Sequence, residues 1–232
     1  MSLFDIKNLK KTYRIGEVKT DALQGVDLTV DKGEFTAIAG PSGSGKSTLL
    51  HLMGGLDTPT SGEVYLNDKR IDQLSKKEAA QVRLDKLGFV FQAYNLIPVL
   101  TALENAAFVL ELQGVGKKER EAKAMDSLKA LGMEEFADRR PNQLSGGQQQ
   151  RVAVARAFAA EPDIILADEP TANLDSKSGG DLIALMKRLN EEEGVTFVFS
   201  THDPRLLEHV KRTVNMEDGH IVGAGTPEMV AA

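Results

Sequence analysis

The sequence contains no cysteine, which removes disulfides, thiolate metal sites and cysteine nucleophiles from consideration. It has no tryptophan, and aromatic residues make up only 5% of its 232 positions. Positive charge is not in surplus: 34 acidic residues against 28 basic ones give a formal net charge of −6. A nucleic-acid binder would carry a basic surplus or stripe, so no nucleic-acid partner is expected. No apolar run approaches the roughly 20 residues that cross a bilayer; the longest, such as Phe35–Ala39 and Ile164–Ala167, are strand-sized. The opening residues, Met1-Ser-Leu-Phe-Asp-Ile-Lys, do not read as a signal peptide, because no basic region precedes an apolar stretch. Any work at a membrane is therefore expected from the water side. The remaining composition, 41% hydrophobic and 27% charged, is that of a globular protein with enough chain to bury a core.

Short apolar runs alternate with longer amphipathic stretches. Strands are predicted at 4–9, 26–30, 35–39, 63–66, 88–91, 163–167, 195–200, 213–216 and 220–222. Runs such as Phe35-Thr-Ala-Ile-Ala and Val195-Thr-Phe-Val-Phe are nearly continuous in β-formers, the pattern of parallel strands covered by helices on both faces. Helices are predicted at 46–54, 103–112, 117–131, 146–160, 176–192 and 204–209. In 176–192, Leu182, Leu185, Met186 and Leu189 recur at helical spacing, with charges between them. The stretch from 92 to about 141 reads as helix after helix, which suggests a helical subdomain inserted into an α/β core formed by 1–91 and 142–232. The last residues, 226–232, leave little room for a regulatory domain.

The first strong motif is Gly40-Pro41-Ser42-Gly43-Ser44-Gly45-Lys46-Ser47-Thr48: a glycine, four residues, then Gly-Lys-Ser, between a predicted strand and a predicted helix. ATP phosphates carry about four negative charges, and this sequence is built to receive them. Glycines let backbone N–H groups turn inward. The helix that follows presents the positive end of its dipole. Lys46 would reach the β- and γ-phosphates, and the Ser47 hydroxyl would be a ligand to Mg²⁺. A glycine- and serine-rich loop that binds nothing is the bland alternative, and the strand–loop–helix setting argues against it.

Ile164-Ile-Leu-Ala-Asp168-Glu169-Pro170 is an apolar strand ending in two carboxylates. Ligands gather at the carboxyl ends of parallel strands. Asp168 could hold Mg²⁺ directly or through a water, and Glu169 could polarise an attacking water. An acidic turn at a strand end is common, so the pair gains weight only beside the phosphate loop. A third strand ends in Thr201-His202-Asp203, where the imidazole could donate to a γ-phosphate.

Leu144-Ser145-Gly146-Gly147-Gln148 then opens a predicted helix with a second anion-receptive N-terminus. Read alone it is equally a helix cap with Ser145 at the capping position. After a phosphate loop, it resembles the signature sequence of the ABC (ATP-binding cassette) ATPases. The resemblance covers essentially the whole chain, with Ala172 a minor departure where relatives often have Gly or Ser. It implies an α/β P-loop NTPase core with an antiparallel β subdomain and an inserted α-helical subdomain.

It also implies roles. Tyr13 would stack on adenine. Gln92 would contact Mg²⁺ and relay movement to a membrane partner. Asp168 would be the magnesium aspartate, Glu169 the catalytic glutamate and His202 the switch histidine. Asn173, Leu174 and Asp175 would form a loop that crosses between subunits. Leu144 to Gln148 would face a nucleotide held by another subunit. The implied unit is a head-to-tail homodimer with two ATP molecules, docked on a separate transmembrane permease subunit at the cytoplasmic face of the membrane.

Finer features, including the insert 13–23, Asn95-Leu-Ile-Pro98-Val-Leu-Thr101, Gln148-Gln-Gln-Arg151 and 170–178, resemble the lipoprotein-releasing and macrolide-exporter branch. That similarity implies export or extrusion. The apolar stretch Leu96-Ile-Pro-Val-Leu100 is a candidate docking edge. The competing readings are a non-transport ABC ATPase acting as a nucleotide-dependent dimerisation switch and a P-loop kinase; the signature sequence disfavours the kinase.

Overall fold

The β-rich runs at 35–39 and 196–200 become strands with no exposed face. In the computed structural model, which describes residues 2–225, the chain divides into two units. The first comprises residues 2–83 with 196–225, and the second Leu84–Val195.

In the first unit, β1 (Ser2–Ile15) and β2 (Val18–Asp31) form a long antiparallel hairpin turning at Gly16. Along β2, Leu23, Val26, Leu28 and Val30 are buried while the residues between them face solvent. β4 (Ser61–Leu66) pairs with β1 and β5 (Lys69–Arg70) with β4, giving an antiparallel sheet in the order β2-β1-β4-β5. β3 (Phe35–Ala39) runs parallel between β8 (Thr196–Thr201) and β9 (Arg212–Glu217), and β10 (His220–Gly225) pairs antiparallel with β9. Every residue of β3 and β8 is buried. Phe35 meets Phe197 and Phe199 edge-on, with ring centroids 5.5 and 4.7 Å apart. Each such buried ring contributes about 1.5–3 kcal/mol. Helix α1 (Lys46–Met53) packs on β8.

In the second unit, β6 (Leu87–Val90) runs parallel to β7 (Ile164–Asp168). Between them in sequence lie α3 (Ala102–Leu112), α4 (Lys117–Ala130), two short 3₁₀ turns and α5 (Gly146–Ala159). The three helices pack on one another, and α5 also covers β6. Helix α6 (Ser176–Glu193) buries Leu182, Met186 and Leu189 of the stripe read from its sequence; Ile183 completes the buried face, and Leu185 is only half-buried.

Several elements differ from the sequence expectation. The first two strands extend well beyond 4–9 and 26–30, because the polar segment 13–23 continues the hairpin. A helix absent from the expectation, α2 (Lys76–Lys86), buries none of its residues, so it carries no apolar stripe to reveal it. Its start is marked instead by a reciprocal cap: Ser75 Oγ accepts from the Glu78 amide, and the Glu78 carboxylate accepts from the Ser75 amide. Helix α7 (Pro204–Leu207) is one turn, shorter than predicted. The stretch 226–232 lies outside the described residues.

Candidate nucleotide-binding site

The phosphate loop leaves the buried end of β3 and enters α1 without a side-chain cap. Gly45 occupies the capping position with φ 102°, and the first turn of α1 holds no acidic residue to offset the positive end of its dipole. Gly40 has φ 153°, and a Cβ there would lie 2.1 Å from the Met216 carbonyl oxygen. Only glycine fits. Pro41, Ser42 and Gly43 are exposed, Ser47 and Thr48 half-buried. Lys46 is buried, and its ammonium donates to the carbonyls of Gly40 and Pro41, each at 2.8 Å. The cation is thus fixed over its own loop. Ser44 Oγ is buried with no hydrogen-bond partner. A tight loop with an inward cation, an unsatisfied hydroxyl and an open helix N-terminus fits a polyphosphate.

His202 follows β8 directly and is exposed. Ala39 is paired with Thr201, so Gly40 and His202 leave adjacent parallel strands at the same level. On the hairpin, the Tyr13 hydroxyl donates to Asp57 Oδ2 at 2.9 Å, and Lys11 Nζ lies 4.8 Å from the Tyr13 ring centroid. Partial burial and the bond to Asp57 raise the Tyr13 phenol above its ordinary pKa.

The second unit carries the remaining residues singled out in the sequence. Val90 is in register with Ala167, so the segments carrying Gln92 and Asp168-Glu169 leave β6 and β7 together. Glu169 adopts a left-handed backbone, φ 45°, unusual for a non-glycine residue. Asn173 Nδ2 donates to the Gln92 carbonyl at 2.9 Å, and Leu174 N–H to the Thr171 carbonyl. Asp175 caps α6, accepting from the amides of Lys177 and Ser178.

Leu144 is buried and Ser145 exposed. Ser145 Oγ accepts from the Gln148 amide at 3.3 Å, and Gln148 Oε1 accepts from the Ser145 amide at 2.8 Å. The capping reading is therefore met in full, yet it leaves Gly146 and Gly147 to explain. The Tyr94 hydroxyl and Ser178 approach them so closely that a Cβ would come within 2.8 and 3.1 Å. Beside this helix start lies a cleft of about 170 Å³ lined in part by Met133, Phe136, Gln148 and Arg151.

Sequence reasoning missed four side chains that organise these segments. Asp57 and Lys11 flank Tyr13. Gln150 Nε2 donates to the carbonyls of Phe91 and Pro170. Arg156, whose burial lowers its guanidinium from the ordinary pKa, donates to the carbonyls of Tyr94 and Asn95, both left-handed. Each is an ordinary residue in an ordinary setting by sequence, and only its partners mark it.

The strand–loop–helix frame and its phosphate loop define a P-loop nucleotide-binding protein. Comparison with known proteins narrows the class. The ABC transporter family model matches residues 23–172. An uncharacterized ABC transporter ATP-binding protein of Methanocaldococcus jannaschii, MJ0796, is 50% identical over 94% of this chain and 95% of its own. The lipoprotein-releasing system ATP-binding protein LolD of Shewanella frigidimarina is 46% identical over 99% of this chain and 97% of its own. A dimeric structure of a post-hydrolysis state of MJ0796, bound to ADP and Pi, superposes with a TM-score of 0.89 at 48% identity, covering 97% and 98% of the two chains. The cbiO1 structure from Clostridium perfringens, part of the cbiONQ transporter complex, gives 0.88 at 30% identity, covering 99% and 90%. The chain belongs to the ABC transporter family, as an ATP-binding protein and ATPase of that family. Among the described residues, no helix is long and apolar enough to cross a membrane.

Proposed function

We propose that the chain hydrolyses Mg-ATP as one half of a head-to-tail homodimer and thereby drives a separate membrane subunit of an export or extrusion system. The observation that carries the reading is the phosphate loop: a buried ammonium and an unsatisfied hydroxyl gathered over the open N-terminus of α1.

In this reading Lys46 turns from its loop carbonyls to the β- and γ-phosphates, and the loop amides hold the remaining oxygens. Tyr13 stacks on the base. Glu169 accepts a proton from the water that attacks the γ-phosphorus; the bond from that phosphorus to the β–γ bridging oxygen breaks, and ADP departs with the bridging oxygen. His202 donates to the transferred phosphoryl group. Ser47, Gln92 and Asp168 offer hydroxyl, carboxamide and carboxylate oxygens, a hard donor set suited to Mg²⁺, Asp168 directly or through a water. The ion, when bound, neutralises phosphate charge. Ser145, Gly147 and Gln148 engage the nucleotide of the second subunit, and Asn173 to Asp175 reach across to it.

Titration of Lys46→Ala with Mg-ATP tests the phosphate-loop assignment. Binding at least about tenfold weaker is expected from loss of a charge-assisted contact; equal affinity would remove Lys46 from the site.

The near-full-length similarity to LolD supports a lipoprotein-, peptide- or drug-extruding system, with this chain on the cytoplasmic face. The segment 96–100, where Val99 is 70% exposed, is the proposed docking edge. Association of the purified chain only with an importer-type membrane subunit would overturn the branch assignment.

A further inference from the structure

An aromatic platform stacks well only if its ring is held in the binding orientation before the base arrives; otherwise ordering the ring offsets the gain. Tyr13 is 37% exposed on the β1–β2 hairpin, yet both ends of its side chain are constrained. Its hydroxyl donates to Asp57 Oδ2 at 2.9 Å. Asp57 is itself held: Oδ1 accepts from Lys11 Nζ and from the Thr58 amide, each at 2.7 Å. Lys11 Nζ donates also to the Thr58 carbonyl at 2.7 Å, and from there covers one face of the Tyr13 ring. One carboxylate thus joins the hairpin, the turn after α1 and the phenol.

We propose that Asp57 is the positioning residue of the base platform: it anchors the Tyr13 hydroxyl and holds Lys11 against one ring face, so that the opposite face is the one that stacks on the nucleobase. This rests on the reading that Tyr13 stacks on adenine. Asp57 touches no substrate and acts only through Tyr13. Lys11 balances the carboxylate and shields one ring face as a cation–π contact.

The test is calorimetric titration of Mg-ATP and Mg-tripolyphosphate, the second lacking base and ribose, into wild type, Asp57→Ala, Tyr13→Phe, the Tyr13→Phe/Asp57→Ala double variant and Tyr13→Ala. Tyr13→Ala is expected to weaken ATP about tenfold, the scale of one base–aromatic stack. Asp57→Ala and Tyr13→Phe should each weaken ATP about three- to fivefold, and the double variant no further, because both remove the same anchor. Tripolyphosphate affinity should stay at the wild-type value throughout. If Tyr13→Ala weakens ATP while Asp57→Ala and Tyr13→Phe do not, the platform stands and the positioning role is overturned. An equal loss for tripolyphosphate in Asp57→Ala would reduce Asp57 to a general prop of the turn and overturn it as well. If Tyr13→Ala binds ATP normally, the platform reading fails and takes this inference with it.

Discussion

Gln150 lies fully buried on α5, and its Nε2 reaches the Phe91 carbonyl at 3.3 Å and the Pro170 carbonyl at 2.9 Å. Those carbonyls follow β6 and β7, so one side chain ties the segment of Gln92 to that of Asp168 and Glu169. Gln150→Leu removes the donor from the buried Pro170 carbonyl, while the Phe91 carbonyl keeps the Tyr94 amide; a buried acceptor left unmet costs about 1–3 kcal/mol. Urea unfolding should show a lower midpoint at an unchanged slope; an unchanged midpoint would mean that the bridge contributes nothing. The sequence carried Gln150 only inside a string of resemblance, since a glutamine on a helix has no distinctive chemistry by itself. The phosphate loop was legible residue by residue for the opposite reason: backbone geometry and phosphate charge leave little choice at Gly40 or Lys46. The tie between Tyr13 and Asp57 was not legible, because an aspartate in a turn is bland and its partner is remote in sequence.

At the scale of elements, strands buried on both faces and the amphipathic helix α6 were readable because their burial imposes a period or a continuous apolar run. Helix α2 was not, since nothing in it is buried, although its Ser75–Glu78 cap was a signal available to be read. Asp175 shows how such caps can be checked. Its carboxyl is held below the ordinary value, first by the Ser178 side chain and then by the Ser178 backbone amide, with a smaller contribution from the Lys177 amide. A carboxyl whose folded pKa is depressed stabilises above its unfolded pKa, and that contribution is lost as pH falls through the folded value. The melting-temperature gap between wild type and Asp175→Ala should therefore narrow between neutrality and below about pH 4. A gap constant across that range would show that the charged cap contributes nothing to α6. The signature segment is a different case: the Ser145–Gln148 box satisfies the start of α5 within the chain, while Ser145 itself remains exposed. Cap and ligand-facing roles are compatible in one hydroxyl.

For the molecule as a whole, membership of the ABC transporter family rests on a family model spanning 23–172 and on relatives matched over nearly their full length. What no single chain carries is the second subunit that the proposed sandwich requires. In the proposed cycle ATP joins two copies and Glu169 ends the union by hydrolysis. The most direct test is the solution mass of wild-type and Glu169→Gln protein, each with and without Mg-ATP. The account predicts monomers without nucleotide and a dimer with Mg-ATP that persists only in Glu169→Gln. A dimer that forms in both proteins regardless of nucleotide would contradict it, because a surface other than the ATP-bearing one would then hold the pair together.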